Sequence, residues 1–181
     1  MNAVVVYESV YGNTRVVAEA IAEALGGASV LPVHEAAGRA EEADLLVVGG
    51  PTHMHGLTTT RSRQIAASAA NEDGGVAVEP SATEQPGLRQ WLHELPDRHG
   101  ARAAAFDTRL DRSPWLTGVA SRGIAKRLRR HGYEVVASES FVVEDSEGPL
   151  EEGELERARD WGVQLGAQMS HNAPAQRRVG A

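Results

Sequence analysis

Cysteine is absent from the 181 residues, which excludes disulfides, thiolate metal sites and a cysteine nucleophile. Lysine is nearly absent: Lys126 stands alone beside many arginines, and with the abundant alanine this reflects a GC-rich genome rather than a function. No apolar run approaches the roughly 18 residues of a membrane span, and no basic-then-apolar segment opens the sequence. A cytoplasmic location is the default expectation. Net positive charge is lacking as well, since 25 acidic against 18 basic residues leave −7, which argues against nucleic acid as the main partner. GxxxxGK[ST] does not occur, nor does GxGxxG, so a P-loop NTPase and the dinucleotide fingerprint are both excluded. What is present is a 41% hydrophobic, 24% charged composition that lets one domain of this length bury a sizeable core.

The hydrophobic pattern alternates between two periods. Val4 to Tyr7 is a short, uninterrupted β-branched run, the mark of a strand buried on both faces. From Thr14 the apolar residues Val16, Val17, Ala20, Ile21, Ala24 and Leu25 recur at helical spacing, closed by Gly26-Gly27. "ASVLPV" (Ala28 to Val33) suits an edge strand that tolerates Pro32, and "HEAAGRAEEA" a weak helix. Further strands are expected at Asp44 to Gly50, Ala101 to Arg109 and Tyr133 to Val143. Helices are expected at Gly87 to Leu95, Leu116 to Gly132 and Glu151 to Met169. This rhythm predicts an α/β fold with a five-stranded parallel sheet of order 2-1-3-4-5 and helices on both faces. The domain spans residues 1–170, and the tail 171–181, without apolar periodicity, is expected to be disordered. Residues 57–86 break the rhythm, because connections in such units normally run to about 2–6 residues. Thr60 to Ala70 reads as a short helix within that insertion, which is either a surface excursion or a substrate lid or dimer contact.

In a parallel sheet ligands bind beyond the strand C-termini, where the strand order reverses. That directs attention to Glu8 to Thr14, Gly50 to Thr60 and Asp107 to Trp115. "ESVYGNT" joins a buried strand directly to a helix N-terminus, where unpaired N–H groups carry about half a positive elementary charge. Gly12 permits close backbone approach, while Ser9, Asn13 and Thr14 add neutral polar groups. The pattern suits a phosphate monoester held without lysine or arginine; the plainer alternative is a helix capped by Asn13 or Thr14. A phosphoacceptor receiver is excluded, because Glu8 and Gly49-Gly50-Pro51 stand where its strand-end aspartates would be.

"VVYESVYGNT" together with "VVGGPTHMHG" resembles the paired signatures of the flavodoxin family, and the likeness runs from Met1 to about Gln168 apart from the insertion. The resemblance implies a flavodoxin-like three-layer sandwich that binds FMN non-covalently and transfers electrons. It implies that Ser9, Val10, Tyr11, Gly12, Asn13 and Thr14 bind the phosphate, and that Pro51 and Thr52 approach the ribityl chain. His53, Met54, His55 and Gly56 would run along the isoalloxazine ring, with Asp107, Thr108 and Arg109 on the third loop. The chain departs from the family in lacking a tyrosine or tryptophan in the second loop, although Trp115 lies in the third. Arg109, just past the fourth strand, either faces the pyrimidine edge and raises the reduction potential or forms a strand-end ion pair. His53 and His55 are proton-relay candidates or exposed polar residues, and they lack a third ligand for a metal.

Partners would be a redox protein or a small-molecule electron donor or acceptor, with the chain a monomer or homodimer. Two other readings stay open: an FMN-dependent NAD(P)H/quinone-type or protoporphyrinogen-type oxidoreductase, and a flavodoxin-fold binding module with weak or no flavin. "KRLRRH" (Lys126 to His131) reads as a solvated helix end that complements the dipole, and "EDSEGPLEEGELE" as an acidic loop and helix start or a docking face for a redox partner. Trp91 and Trp161 read as core residues.

Overall fold

Five parallel strands in the order 2-1-3-5-6 form the sheet, with one short antiparallel strand appended. The computed structural model describes residues 1–53, 56–58, 78–111, 118–145 and 147–171. The elements in chain order are β1 (Ala3–Tyr7), α1 (Asn13–Ala24), β2 (Ser29–Pro32), β3 (Leu45–His53), β4 (Gly56–Leu57), α2 (Leu88–Glu94), β5 (Arg102–Leu110), α3 (Ala120–Arg130), β6 (Glu134–Val143) and α4 (Glu154–His171). The sheet order is the one expected once the short β4 is set aside.

Side-chain alternation divides the core into two layers. Val4, Val6, Leu46, Val48, Ala103 and Ala105 face α2 and α3, where Leu88, Trp91, Leu92, Ile124 and Leu128 cover them. Val5, Leu45, Val47, Ala104 and Phe106 face α1 and α4, where Val17, Ile21, Trp161 and Leu165 pack. Both tryptophans on helices are therefore core residues, as expected. Phe106, Phe141 and Trp161 meet edge to face at centroid distances of 6.2–6.4 Å, an arrangement that adds about 1 kcal/mol per pair beyond area burial. The Phe106 ring lies where Gly49 would carry a side chain: a Cβ there would stand 2.0 Å from the ring. Gly49 is thus a packing requirement of the sheet.

Several boundaries differ from the sequence reading. The segment after β2 is not a helix but two single 3-10 turns, Val33–Glu35 and Ala40–Glu42. Gly38 at φ 76° interrupts it, and buried Ala36, Ala40 and Ala43 hold it against the core. β3 runs on to His53 because Thr52 and His53 pair antiparallel with Leu57 and Gly56. β5 continues to Leu110 because β6 pairs with it that far. α3 starts at Ala120, since Gly118 has φ 71° and Val119 is extended. The short helix expected at 60–70 and the tail beyond 171 lie outside the described residues.

The start of α4 is locked to β6 by charge. Glu154 accepts the Val142 N–H at 2.7 Å and pairs with Arg157 at 2.6 Å, while the Arg157 guanidinium stacks 4.7 Å from the Phe141 centroid. Burial alone would raise the Glu154 carboxyl, but the hydrogen bonds from Arg157 and Val142 and the Arg157 charge outweigh it and lower its pKa. Its contribution to stability is present above the unpaired value of 4.5 and is lost as pH falls through the lower folded value. Glu154→Gln should cost about 1 kcal/mol at pH 7 in urea unfolding, given the half-exposed partner. The gap to wild type should close as pH drops below 4.5; a gap that persists at pH 2.5 would show that the charge is not its source.

Candidate functional site

Among the described residues, four helices begin at the C-terminal edge of the sheet, and their starts are treated differently. Asp107, fully buried on β5, accepts the Ala120 N–H at 2.7 Å and so caps α3 from outside the helix. The same oxygen accepts the Thr52 hydroxyl, and the other accepts Ser140 Oγ at 2.6 Å. One carboxylate therefore ties β3, β5, β6 and α3 together. Glu8, 3% exposed at the end of β1, does the same nearby: it accepts the Leu88 N–H at 2.7 Å, the first of α2, and the Thr58 hydroxyl. α4 carries Glu154 and Glu156 in its own first turn.

α1 differs from all three. Its cap is Gly12 at φ 92°, with no side-chain cap bond and no acidic residue in the first turn. Among the described residues, nothing accepts the backbone N–H groups of Asn13, Thr14 or Arg15. The capping alternative therefore fails: Asn13 instead donates its amide to Gly148 O at 2.6 Å, and the Thr14 hydroxyl meets the Thr108 hydroxyl at 2.8 Å. Ser9 Oγ accepts the Gly12 N–H at 3.1 Å, which leaves its own proton to donate. Val10 is buried, with its carbonyl accepting the Glu79 N–H at 2.9 Å. The Tyr11 phenol is raised by burial and by the nearby Glu147.

The three candidate loops converge through strand register. Thr108 touches Thr14 on one side and is in register with Pro51 on the other. Thr52 and Asp107 are neighbours but spend their polar atoms on each other and on Ala120, so they position the strands and α3. His53 is exposed and Gly56 half-buried on the β3–β4 hairpin, while Met54, His55 and Trp115 lie outside the described residues. Arg109 lies inside β5, in register with Val142, rather than on a loop beyond the strand.

Two charged residues at the turn escaped the sequence reading. Arg15 Nη2 lies 3.9 Å from the position a Gly12 Cβ would take, so a cation does stand beside the turn. It pairs with Glu79 at 2.5 Å and Glu19 at 2.9 Å, and these bonds hold its guanidinium above the usual arginine pKa. Glu79 comes from the 57–86 insertion, 64 residues away, and no local pattern announces that contact.

Residues 4–111, more than half of the chain, match the family model described as a flavodoxin domain. The chain belongs to the flavodoxin family. Among solved structures this flavodoxin is similar to a flavodoxin from the domain Archaea, at 20% identity and a TM-score of 0.59, over 94% of this chain and 100% of that one. It is also similar to oxidised Flavodoxin 1 from Bacillus cereus, at 16% identity and 0.59, over 96% and 100%. A WrbA-like flavodoxin from Agrobacterium tumefaciens aligns at 19% identity and 0.56, over 95% and 99%. At these identities the structural likeness is one of fold, and no curated protein matches the chain. Family membership carries with it a redox role through a bound flavin. No helix among the described residues is long and apolar enough to cross a membrane, and no group of three or more potential metal ligands occurs among them.

The assignment of Asp107 to architecture has a direct test in protein free of added flavin. Asp107→Ala leaves two hydroxyls without their acceptor and the Ala120 N–H with the Thr52 oxygen alone, and should cost about 3 kcal/mol in urea unfolding. Asp107→Asn keeps an acceptor oxygen and can donate to Ser140, so it should recover more than half of that loss. Equal, small effects of both substitutions would contradict the assignment.

Proposed function

We propose that this flavodoxin binds FMN and transfers electrons through it, with the phosphate seated on the start of α1. The carrying observation is the contrast between helix starts at one sheet edge: a buried carboxylate accepts the first N–H of α2 and of α3, whereas among the described residues no side chain accepts one from α1. A dianionic phosphate monoester matches three unengaged amides, the partial positive charge of the helix and the hydroxyls of Ser9 and Thr14. These residues therefore fit the group, and Thr108 would orient the Thr14 hydroxyl rather than reach the phosphate itself. Asn13, held by Gly148, fixes the turn against the loop that precedes α4. Pro51 and the exposed His53 lie at the end of β3, beside Thr108 and β4, and would line the ribityl chain and one edge of the ring. When bound, FMN supplies a centre that takes up and releases electrons; the chain supplies the anchor and a rigid strand edge against which the ring lies.

Arg15 and Glu79 tune this anchor. Glu79 draws the guanidinium toward itself and places a negative charge near the turn, so it opposes a dianion that Arg15 alone would favour. Both side chains contact water, which keeps the effect small.

Titrating the protein with FMN should quench flavin fluorescence at a one-to-one endpoint. Riboflavin, identical but for the phosphate, should bind about a hundredfold more weakly, because about three amide bonds are lost. Glu79→Gln should tighten FMN about threefold and leave riboflavin unchanged. Equal affinity for FMN and riboflavin would remove the phosphate from α1, and unquenched fluorescence at saturating FMN would end the flavin reading.

A further inference from the structure

α3 concentrates positive charge on a chain that is otherwise acidic. Its eleven residues hold Arg122, Lys126, Arg127, Arg129 and Arg130 and no carboxylate. The chain carries −7 overall and this helix +5, so the remainder carries −12. Arg89, the second residue of α2, extends the patch toward the strand edge, where it donates to Leu57 O at 2.8 Å.

Among the described residues, the patch is not neutralised by the chain's own carboxylates. No carboxylate among the described residues lies in ion-pair range of Arg89, Arg122, Lys126, Arg127, Arg129 or Arg130. Of the acids near in sequence, Glu84 pairs with His34, Glu94 with Gln90, Asp97 with His131 and Glu134 with Arg102, and Asp111 is exposed outside ion-pair range. Arg127, held to Gly123 O at 3.0 Å, is partly buried between its neighbours. Burial and the like charges of Arg89 and Arg130 lower its pKa, a sign of cations crowded without compensation. A helix dipole accounts for cations in the last turn of α3, but not for Arg122 in the first turn or Arg89 on another helix.

The patch also adjoins the strand edge that the flavin reading uses. Leu57 of β4 lies 3.9 Å from the Cβ position of Gly123, and Gly123 stands one turn before Arg127. The cations thus begin beside the β3–β4 hairpin and continue down α3, whose eleven residues span about 16 Å.

We propose that the outer face of α3, extended by Arg89, is a docking surface for a protein partner that is acidic over the matching area. The inference rests on the flavin reading for the partner's redox role, while the docking itself follows from charge. A convex row of side chains does not converge on a single phosphate as a nucleotide pocket must, but it matches a row of carboxylates on a second protein. An extended polyanion would overrun the patch and meet the −12 of the remaining surface, whereas a protein face of similar size need not. Arginine predominates, and its fork suits paired carboxylates.

The test is calorimetric titration of the full chain with an acidic [2Fe–2S] ferredoxin as probe. Binding is expected at about 20 mM salt and should weaken about tenfold by about 200 mM, as screening shortens the reach of the field. The exposed triple variant Lys126→Glu, Arg129→Glu, Arg130→Glu should weaken it at least about tenfold with thermal melting unchanged. Glu151→Gln with Glu152→Gln, on the loop before α4, should not weaken it. A flat titration at low salt, or undiminished binding by the triple variant, would overturn the proposal. Tighter binding of a single-stranded oligonucleotide than of the ferredoxin would also overturn it and assign the surface to nucleic acid. FMN quenching on the same preparations reports separately on the flavin reading, since the calorimetric signal needs no bound flavin.

Discussion

Two buried carboxylates hold the functional edge of this protein together. Asp107 draws donors from β3, β6 and α3 onto one side chain, and Glu8 draws α2 and Thr58 onto another. Removing a carboxylate from water is expensive, and it is tolerated here because each accepts several hydrogen bonds, some from helix N-termini where negative charge is favoured. Both side chains point to the α2/α3 face of the sheet, where the alternation of β1 and β5 places them. The effect is to fix two helices and the β3–β4 hairpin relative to the strand ends. A site assembled from three loops is thereby mounted on a rigid frame.

The same economy explains the selectivity of the edge. Helix starts are equivalent in their intrinsic attraction for anions, so what separates them is whether the chain has supplied its own acceptor. α2 and α3 receive a buried carboxylate, α4 brings glutamates in its first turn, and α1 receives neither. On the proposed reading, phosphate specificity would come from geometry and available donors rather than from a dedicated cation. Arg15 is present, but Glu19 and Glu79 share it. The described ends of the insertion are tied to this frame: Thr58 bonds to Glu8, and the Glu79 N–H bonds to Val10 O.

Much of the architecture was legible in the sequence. Uninterrupted β-branched runs at Val4 to Tyr7 and within Asp44 to Gly50 announced strands buried on both faces, and the switch to helical spacing at Thr14 located α1 within one residue. The edge strand with Pro32 and the core roles of Trp91 and Trp161 were equally plain. Boundaries were less so where pairing decided them. β3 reaches His53 because β4 exists to pair with it, and a two-residue strand leaves no periodic trace. The polar corner at Ser9 to Thr14 was visible, but the partners of Asn13 and Thr14 lie 135 and 94 residues away.

By itself, the sequence determined the strand–helix alternation and the glycine-containing turn between β1 and α1, because these follow from local periodicity and from the conformational freedom of Gly12. Only the tertiary structure decided which polar residues serve the frame and which remain available. Asp107 and Thr52 look like site residues in sequence, yet their oxygens are engaged by donors brought in from distant strands and helices. The open start of α1 and the uncompensated cations of α3 are likewise properties of what lies nearby in space. The reason is physical: propensity and period act over a few residues, whereas hydrogen bonds and Coulomb forces act wherever folding brings groups together.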